Sequence, residues 1–204
     1  MIDLGPRTNK GVAIFKLVHQ REPRHLFDDH FIELFLSPEQ VHRISELPPM
    51  PTTRPAEGES CFMWSAYWYT SLRERFIDDF LRDALANGCR QVVSFGAGYE
   101  TRYFRMIAEY TPPVHAFEFD LPETIEDKRD CLDRSKYGIP ETLHLAPFDL
   151  RTDSYALLQT IGYSADLPTA FIVQGVSYYL QESVFMRLLD FVSSEPQPRS
   201  WLIY

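Results

Sequence analysis

The sequence predicts an α/β fold, a mostly parallel, doubly wound sheet with an N-terminal helical cap. Three observations carry this. Short apolar runs recur at Gln91–Phe95, Val114–Phe119, Leu143–Pro147, Thr169–Val173 and Trp201–Tyr204, and helical patterns over 100–110, 122–134, 154–161 and 181–193 separate them. Strands alternating with helices place the crossovers on the sheet faces, which is how parallel sheets are covered. The first run opens directly into Gly96-Ala97-Gly98, where glycine lets the backbone turn sharply and lets a ligand approach it closely. Finally, 204 residues at 45% hydrophobic and 24% charged supply a sizeable core with a soluble surface.

Ahead of the sheet, residues 1–47 hold short helical patterns, and Leu26–Leu36 repeats apolar groups at roughly helical spacing. Pro48, Pro49, Pro51, Pro55 and Gly58 then make 48–60 a loop or crossing strap, because proline lacks the amide donor and clashes with the preceding turn. The chain thus divides into a helical cap with its Pro-rich strap, 1–60, and a sheet-bearing core, 61–204. The clearest helix is 70–87. Leu72, Phe76, Ile77, Phe80, Leu81 and Ala84 form one apolar stripe with Leu85 at its edge. Arg73, Glu74, Asp78, Asp79, Arg82 and Asp83 lie mostly opposite, and Asn87-Gly88 is a stop signal. Pro122 suits the first turn of the helix over 122–134. The sequence stops in or just after its fifth strand, so a C-terminal section is expected to be missing from it.

The net charge of −9 disfavours nucleic-acid partners, which select for a basic face. Lys128, Arg129, Arg134 and Lys136 interleave with Glu126, Asp127, Asp130 and Asp133 and read as a solvated helix face. Cys61, Cys89 and Cys131 are odd in number and widely spaced, which argues against a disulfide framework or a metal site. The stretch Met1–Arg7 has no signal-like apolar run, and no 18-residue apolar stretch occurs. A cytoplasmic protein without a membrane partner is expected.

The candidate site lies at the strand ends. A dinucleotide turn wants a third glycine, but position 101 is Thr. S-adenosylmethionine (SAM) carries no phosphate and needs only close backbone approach, so Gly96, Ala97 and Gly98 favour it over NAD. Asp120 ends the second strand 22 residues after Gly98, where a carboxylate accepts hydrogen bonds from ribose hydroxyls. Glu118 is the less favoured neighbour because it sits further from the strand's carboxyl end. Asp149, after the third strand, can take an adenine amino group while neighbouring Leu150 packs on the ring; Asp149 alone also reads as a turn or N-cap residue. Gln174 ends the fourth strand and is the candidate for the cofactor's amino-acid end. Tyr178 and Tyr179 are candidates for the acceptor pocket, with ordinary core as the competing reading.

These residues resemble the leucine carboxyl methyltransferase family. Val92–Arg105 is similar to that family's strand followed by GAGxDTRxxR, and Glu118-Phe119-Asp120-Leu121-Pro122 to its E-x-D-x-P, followed here by Lys128. Asp149-Leu150-Arg151 is similar to its D-L-R, and Gln174-Gly175-Val176-Ser177-Tyr178-Tyr179-Leu180 to its E-G/C-x-x-x-Y followed by Leu or Met. The resemblance covers about residues 90–185. It implies a Rossmann-like class I SAM-dependent O-methyltransferase, with cofactor roles for Gly96, Gly98, Asp120, Asp149, Leu150 and Gln174, and with two further C-terminal strands and a substrate lid that are expected to be absent from this sequence. Three departures stand out. Glu100 replaces Asp, and Gln174 replaces Glu, leaving the cofactor's ammonium a neutral partner. Tyr69 stands where the family has an Arg that pairs with the SAM carboxylate, leaving Arg73 or Arg102 to take its place.

The acceptor expected is a carboxylate or hydroxyl of a small metabolite or peptide. A carboxylate is already ionised at pH 7, whereas a hydroxyl needs a base nearby. His25 and His30 stand in the cap and are candidates to approach the pocket, but all six histidines read first as structural, and no catalytic base is assigned. The competing functions are a non-catalytic SAM-binding module, a methyltransferase for the C-terminal leucine of a protein phosphatase, and an NAD-dependent oxidoreductase, the last opposed by the missing third glycine.

Overall fold

A computed structural model describes residues 8–56, 59–194 and 200–204. Gly58 and the stretch Met1–Arg7 lie outside the described residues. The chain separates into two compact units that divide inside one long helix, between Asp79 and Phe80.

The first unit holds α1 (Thr8–Gln20), a single 3-10 turn at Ile32–Phe35, α2 (Pro38–Ser45) and the first part of α3 (Glu59–Ala86). The helical spacing over Leu26–Leu36 therefore yields only that one turn. A capping box opens α2: the Gln40 N–H donates to Ser37 Oγ at 3.2 Å and the Ser37 N–H to Gln40 Oε1 at 2.9 Å. The strap lies against α3 through one acceptor, as the indole N–H groups of Trp64 and Trp68 both donate to the Pro51 carbonyl, at 2.7 and 3.3 Å.

The stripe that α3 buries matches the predicted one at Ile77, Leu81, Ala84 and Leu85 but departs from it earlier in the helix. Its buried positions are Tyr67, Thr70, Ser71, Glu74, Ile77, Asp78, Leu81, Ala84 and Leu85, a regular helical spacing. Leu72 and Phe76 face outward, 57% and 68% exposed. The cause is a polar interior: Lys16 Nζ lies 2.8 Å from Asp29 and 3.4 Å from Glu74, all three buried. Beside them, buried His19 receives the Leu26 N–H at Nε2 (2.7 Å), so that nitrogen carries the lone pair and the proton sits on Nδ1. Nδ1 donates to the Tyr67 hydroxyl at 2.8 Å. Protonation would break the Leu26 bond and charge a dry site, and burial with nearby His25 holds this imidazole down at about 4.

The second unit is the sheet. Strands β1 (Gln91–Phe95), β2 (His115–Asp120), β3 (Leu143–Pro147), β4 (Thr169–Ile172) and β5 (Trp201–Ile203) lie in the order β3-β2-β1-β4-β5, all parallel. This is the predicted doubly wound arrangement. The spatial order reverses between β1 and β4, so a crevice opens there at the carboxyl ends of the strands. β1 is buried at every position, as a central parallel strand should be. One core cluster packs Val93, Phe95, Phe117, Phe119, Phe171 and Leu188, with Phe95 and Phe119 stacked at 5.4 Å.

The connections are α4 (Pro122–Asp133), α5 (Leu157–Thr160) and α6 (Glu182–Ser194). Between β1 and β2, the segment predicted as a helix over 100–110 is instead a π-helical turn at Tyr103–Ile107, closed by Ala108 N–H donating to the Tyr103 carbonyl at 2.8 Å. The stop at Asn87-Gly88 is present: Gly88 has φ +95° and the Cys89 N–H returns to the Ala84 carbonyl at 3.0 Å.

Lys128 corrects the reading of α4 as a solvated basic face. It is 0% exposed and pairs with the buried Glu118 carboxylate, also donating to the Glu100 carbonyl at 2.7 Å. The cysteines Cys61, Cys89 and Cys131 are free, and burial pushes the Cys89 thiol up to about 11. Among the described residues no helix is long and apolar enough to cross a membrane, and no group of three or more His, Cys, Asp or Glu is placed to hold a metal.

Candidate functional site

Four strand ends converge at the β1/β4 crevice. After β1, Gly96 and Gly98 adopt φ +68° and +51°, backbone that side-chain-bearing residues rarely accept. The turn is fastened to β2. The Ala97 N–H donates to the Phe119 carbonyl at 2.9 Å, and the Gly98 N–H to Asp120 Oδ2 at 2.7 Å. The other Asp120 oxygen takes the Leu121 N–H at 2.7 Å. Each carboxylate oxygen has two lone pairs, so a donor from a ligand can be added to both.

Two residues beyond Gly98 stands Glu100, and its buried carboxylate accepts the N–H groups of Thr101 (2.7 Å) and Arg102 (2.8 Å). The same carboxylate pairs with the Arg102 guanidinium. Arg102 is 1% exposed and also donates to Gln174 Oε1 at 3.0 Å. It thereby braces the turn after β1 to the loop after β4. Sequence spacing brought Arg102 and Gln174 to the same edge, but nothing in it announced that they bond to each other. The Glu100 cap and the buried Glu118–Lys128 pair were likewise missed as contacts; their only sequence signal is a cation following an acid, two residues on in one case and ten in the other.

The loop after β3 is held by backbone. The Phe148 N–H donates to the Asp120 carbonyl at 2.8 Å, joining the candidate ribose residue to the candidate adenine loop. The Asp149 N–H donates to Asp153 Oδ2 at 2.8 Å, and the Arg187 guanidinium of α6 donates to the Leu150 carbonyl. Leu150 is buried. The Asp149 side chain is engaged by Arg151 at 2.6–3.1 Å, and this guanidinium holds its carboxyl below the usual carboxylate range. Asp149 thus plays the turn role foreseen as its alternative and presents its carboxylate through Arg151.

Tyr178 and Tyr179 follow on the loop after β4. They are not core: both are 63% exposed, with ring centroids 4.6 Å apart. Tyr69 and Arg73 belong to the first unit and lie inside α3, with the Arg73 guanidinium 5.1 Å from the Tyr69 ring centroid. His25 is also in that unit, where Asp28 and the Glu22 carbonyl engage its ring at 2.8 and 3.0 Å. The glycine turn, the acidic tip of β2 and the braced loop after β4 stand together at the carboxyl edge of a Rossmann-like parallel sheet.

The family profile described as leucine carboxyl methyltransferase matches residues 10–193. The chain belongs to the leucine carboxyl methyltransferase family. Relatives named "Putative S-adenosyl-L-methionine-dependent methyltransferase" occur in Saccharopolyspora erythraea (31% identical over 89% of this chain), Mycolicibacterium gilvum (34% over 76%) and Streptomyces coelicolor (31% over 95%). This chain spans 60%, 46% and 63% of their respective lengths. The solved mitomycin 7-O-methyltransferase MmcR is similar at a TM-score of 0.42 and 14% identity, covering 98% of this chain and 50% of that one, a likeness too low to bear on fold or function.

Proposed function

We propose that this chain forms the cofactor-binding part of a cytoplasmic SAM-dependent O-methyltransferase whose acceptor is a carboxylate or hydroxyl of a small metabolite or peptide. The observation that carries it is the Glu100 carboxylate on the Thr101 and Arg102 N–H groups. Those are the donors a pyrophosphate would use in a dinucleotide site. Here the chain supplies its own anion, so the turn suits a nucleoside ligand without phosphate. Family membership and the names of the relatives support the same reading.

The residues present fit such a ligand. Gly96 lets the loop after β4 close onto the turn, since a Cβ there would lie 2.0 Å from Val176 Cγ2, and the Gly98–Asp120 pairing puts a carboxylate beside the turn. In the proposed assignment Asp120 accepts from the ribose hydroxyls, Asp149 and Leu150 face the adenine, and Gly96, Ala97 and Gly98 line the sulfur-bearing chain. Arg102 fixes Gln174 toward the amino-acid end. When bound, SAM supplies an activated methyl group on a sulfonium. The protein's task is then to hold an acceptor oxygen in line with it, since orientation accounts for much of such a barrier. Tyr178 and Tyr179 offer flat, exposed faces for that acceptor. No charged residue occurs from Thr169 to Gln181, which favours a small apolar or aromatic metabolite over an acidic peptide.

Calorimetric titration with SAM and S-adenosylhomocysteine, followed by transfer assays on aromatic acids and phenols, tests this. Binding of SAM with no binding of NADH is expected. Failure to bind SAM would overturn the reading, while binding without turnover on any acceptor would favour a non-catalytic module.

A further inference from the structure

We infer that Val176 sets the size of the group that fits at the middle of the bound cofactor, and so restricts the site to a methyl-bearing sulfur. The inference rests on the reading of this edge as a SAM site. A Cβ built on Gly96 would lie 2.0 Å from Val176 Cγ2 and 3.3 Å from Val176 Cβ. The isopropyl group therefore stands directly on the Gly96 Cα, in the crevice between β1 and β4.

Its place along the edge gives it meaning. Asp120, bonded to Gly98, marks the ribose end on the β2 side, and Gln174, bonded to Arg102, marks the amino-acid end on the β4 side. Gly96 lies between them. In SAM the atom that joins the ribose to the amino-acid chain is the sulfonium, which carries the transferable group. The side chain over Gly96 thus faces the substituents on sulfur.

Val176 is also a firm wall. It is β-branched and stiff at χ1. It packs against the core cluster that contains Phe95 and Val173, and two residues earlier Gln174 is pinned by Arg102. One methylene added against such a wall changes binding by about 10–200-fold.

The test is equilibrium binding without acceptor, so that turnover plays no part. SAM, its S-ethyl homologue and S-adenosylhomocysteine are titrated into wild type, Val176→Ala, Val176→Thr and Val176→Ile. Wild type should bind the S-ethyl compound at least about tenfold more weakly than SAM. Val176→Ala should narrow that ratio to about threefold or less, Val176→Ile should widen it, and Val176→Thr, nearly the same shape, should leave it unchanged. An unchanged ratio in Val176→Ala, or a shift in Val176→Thr as large as in Val176→Ala, overturns the size role. If Val176→Ala does not fold, Val176→Ile decides alone, and an unchanged ratio there overturns it. Loss of S-adenosylhomocysteine binding in wild type instead overturns the SAM reading itself, and is distinguishable because it needs no variant.

Discussion

Asp120 and Gly98 are joined by a 2.7 Å hydrogen bond from the glycine N–H to Oδ2, so the acidic tip of β2 and the turn after β1 behave as one piece. Asp120→Asn keeps one oxygen for Gly98 and removes the charge that would hold a ribose diol. Charge-assisted bonds are worth about 1.5–3 kcal/mol, so S-adenosylhomocysteine affinity should fall roughly 10–100-fold, with a modest fall in melting temperature because the amide NH2 cannot accept the Leu121 N–H. Calorimetry beside thermal melts checks this. Undiminished affinity would remove Asp120 from the ribose role.

The buried Lys128–Glu118 pair makes a stability prediction. Lys128→Met leaves the Glu118 charge uncompensated and should cost about 3–5 kcal/mol in urea unfolding. Adding Glu118→Leu should recover most of that loss, because replacing both partners leaves no stranded charge. A double variant no more stable than Lys128→Met would show that Lys128 acts chiefly through the Glu100 carbonyl.

His19 makes the first unit sensitive to acid. Its folded pKa of about 4 lies below the ordinary histidine value of 6.5. Between those values the unfolded chain takes up a proton that the folded chain refuses. Stability is therefore full above about pH 6.5 and declines as pH falls toward about 4, by up to roughly 1.4 kcal/mol per unit inside that window. Denaturant curves at pH 7.0 and 5.0 should differ by about 2 kcal/mol, and His19→Gln should flatten the dependence. Equal slopes in both proteins would refute the assignment.

Tyr178 and Tyr179 should act on the acceptor and not on the cofactor. The double Ala variant is expected to bind S-adenosylhomocysteine within about twofold of wild type, since both rings are largely exposed and contact mainly each other. Its acceptor KM should rise about tenfold or more if two aromatic faces are lost. A variant that loses cofactor binding instead would place these rings at the wrong end of the site.

How far the sequence disclosed all this depended on the kind of signal. β1 and β3 stand at the residues predicted for them, because strands buried on both faces are short apolar runs with turn residues at each end. The strand tips, and with them Gly96, Gly98, Asp120, Asp149 and Gln174, followed from that. α3 was legible as a helix but not in its orientation or its start. Hydropathy points Leu72 and Phe76 inward, yet Glu74 goes inward because Lys16 and Asp29 meet it there, and periodicity carries no knowledge of a partner more than forty residues away. The π-helical turn after the glycines escaped for a related reason. Its apolar spacing fits a helix, and side-chain periodicity does not distinguish an i→i+5 turn from an α-helical one. Glu100 stood out as a departure from the family's Asp, but that it caps the Thr101 and Arg102 N–H groups was not legible.

The outer strand carries a practical consequence. β5 pairs with β4 on one side, and among the described residues no strand pairs with its other side, which presents Trp201-Leu202-Ile203. A row of peptide donors and acceptors beside three large apolar side chains is a template for another chain's backbone. Preparations of this polypeptide should therefore associate edge to edge as concentration rises, visible as a growing scattering radius. Tyr204→Lys, at a position 72% exposed and adjoining that strand, places a charge where sheet proteins commonly guard an open edge and should keep the material dispersed.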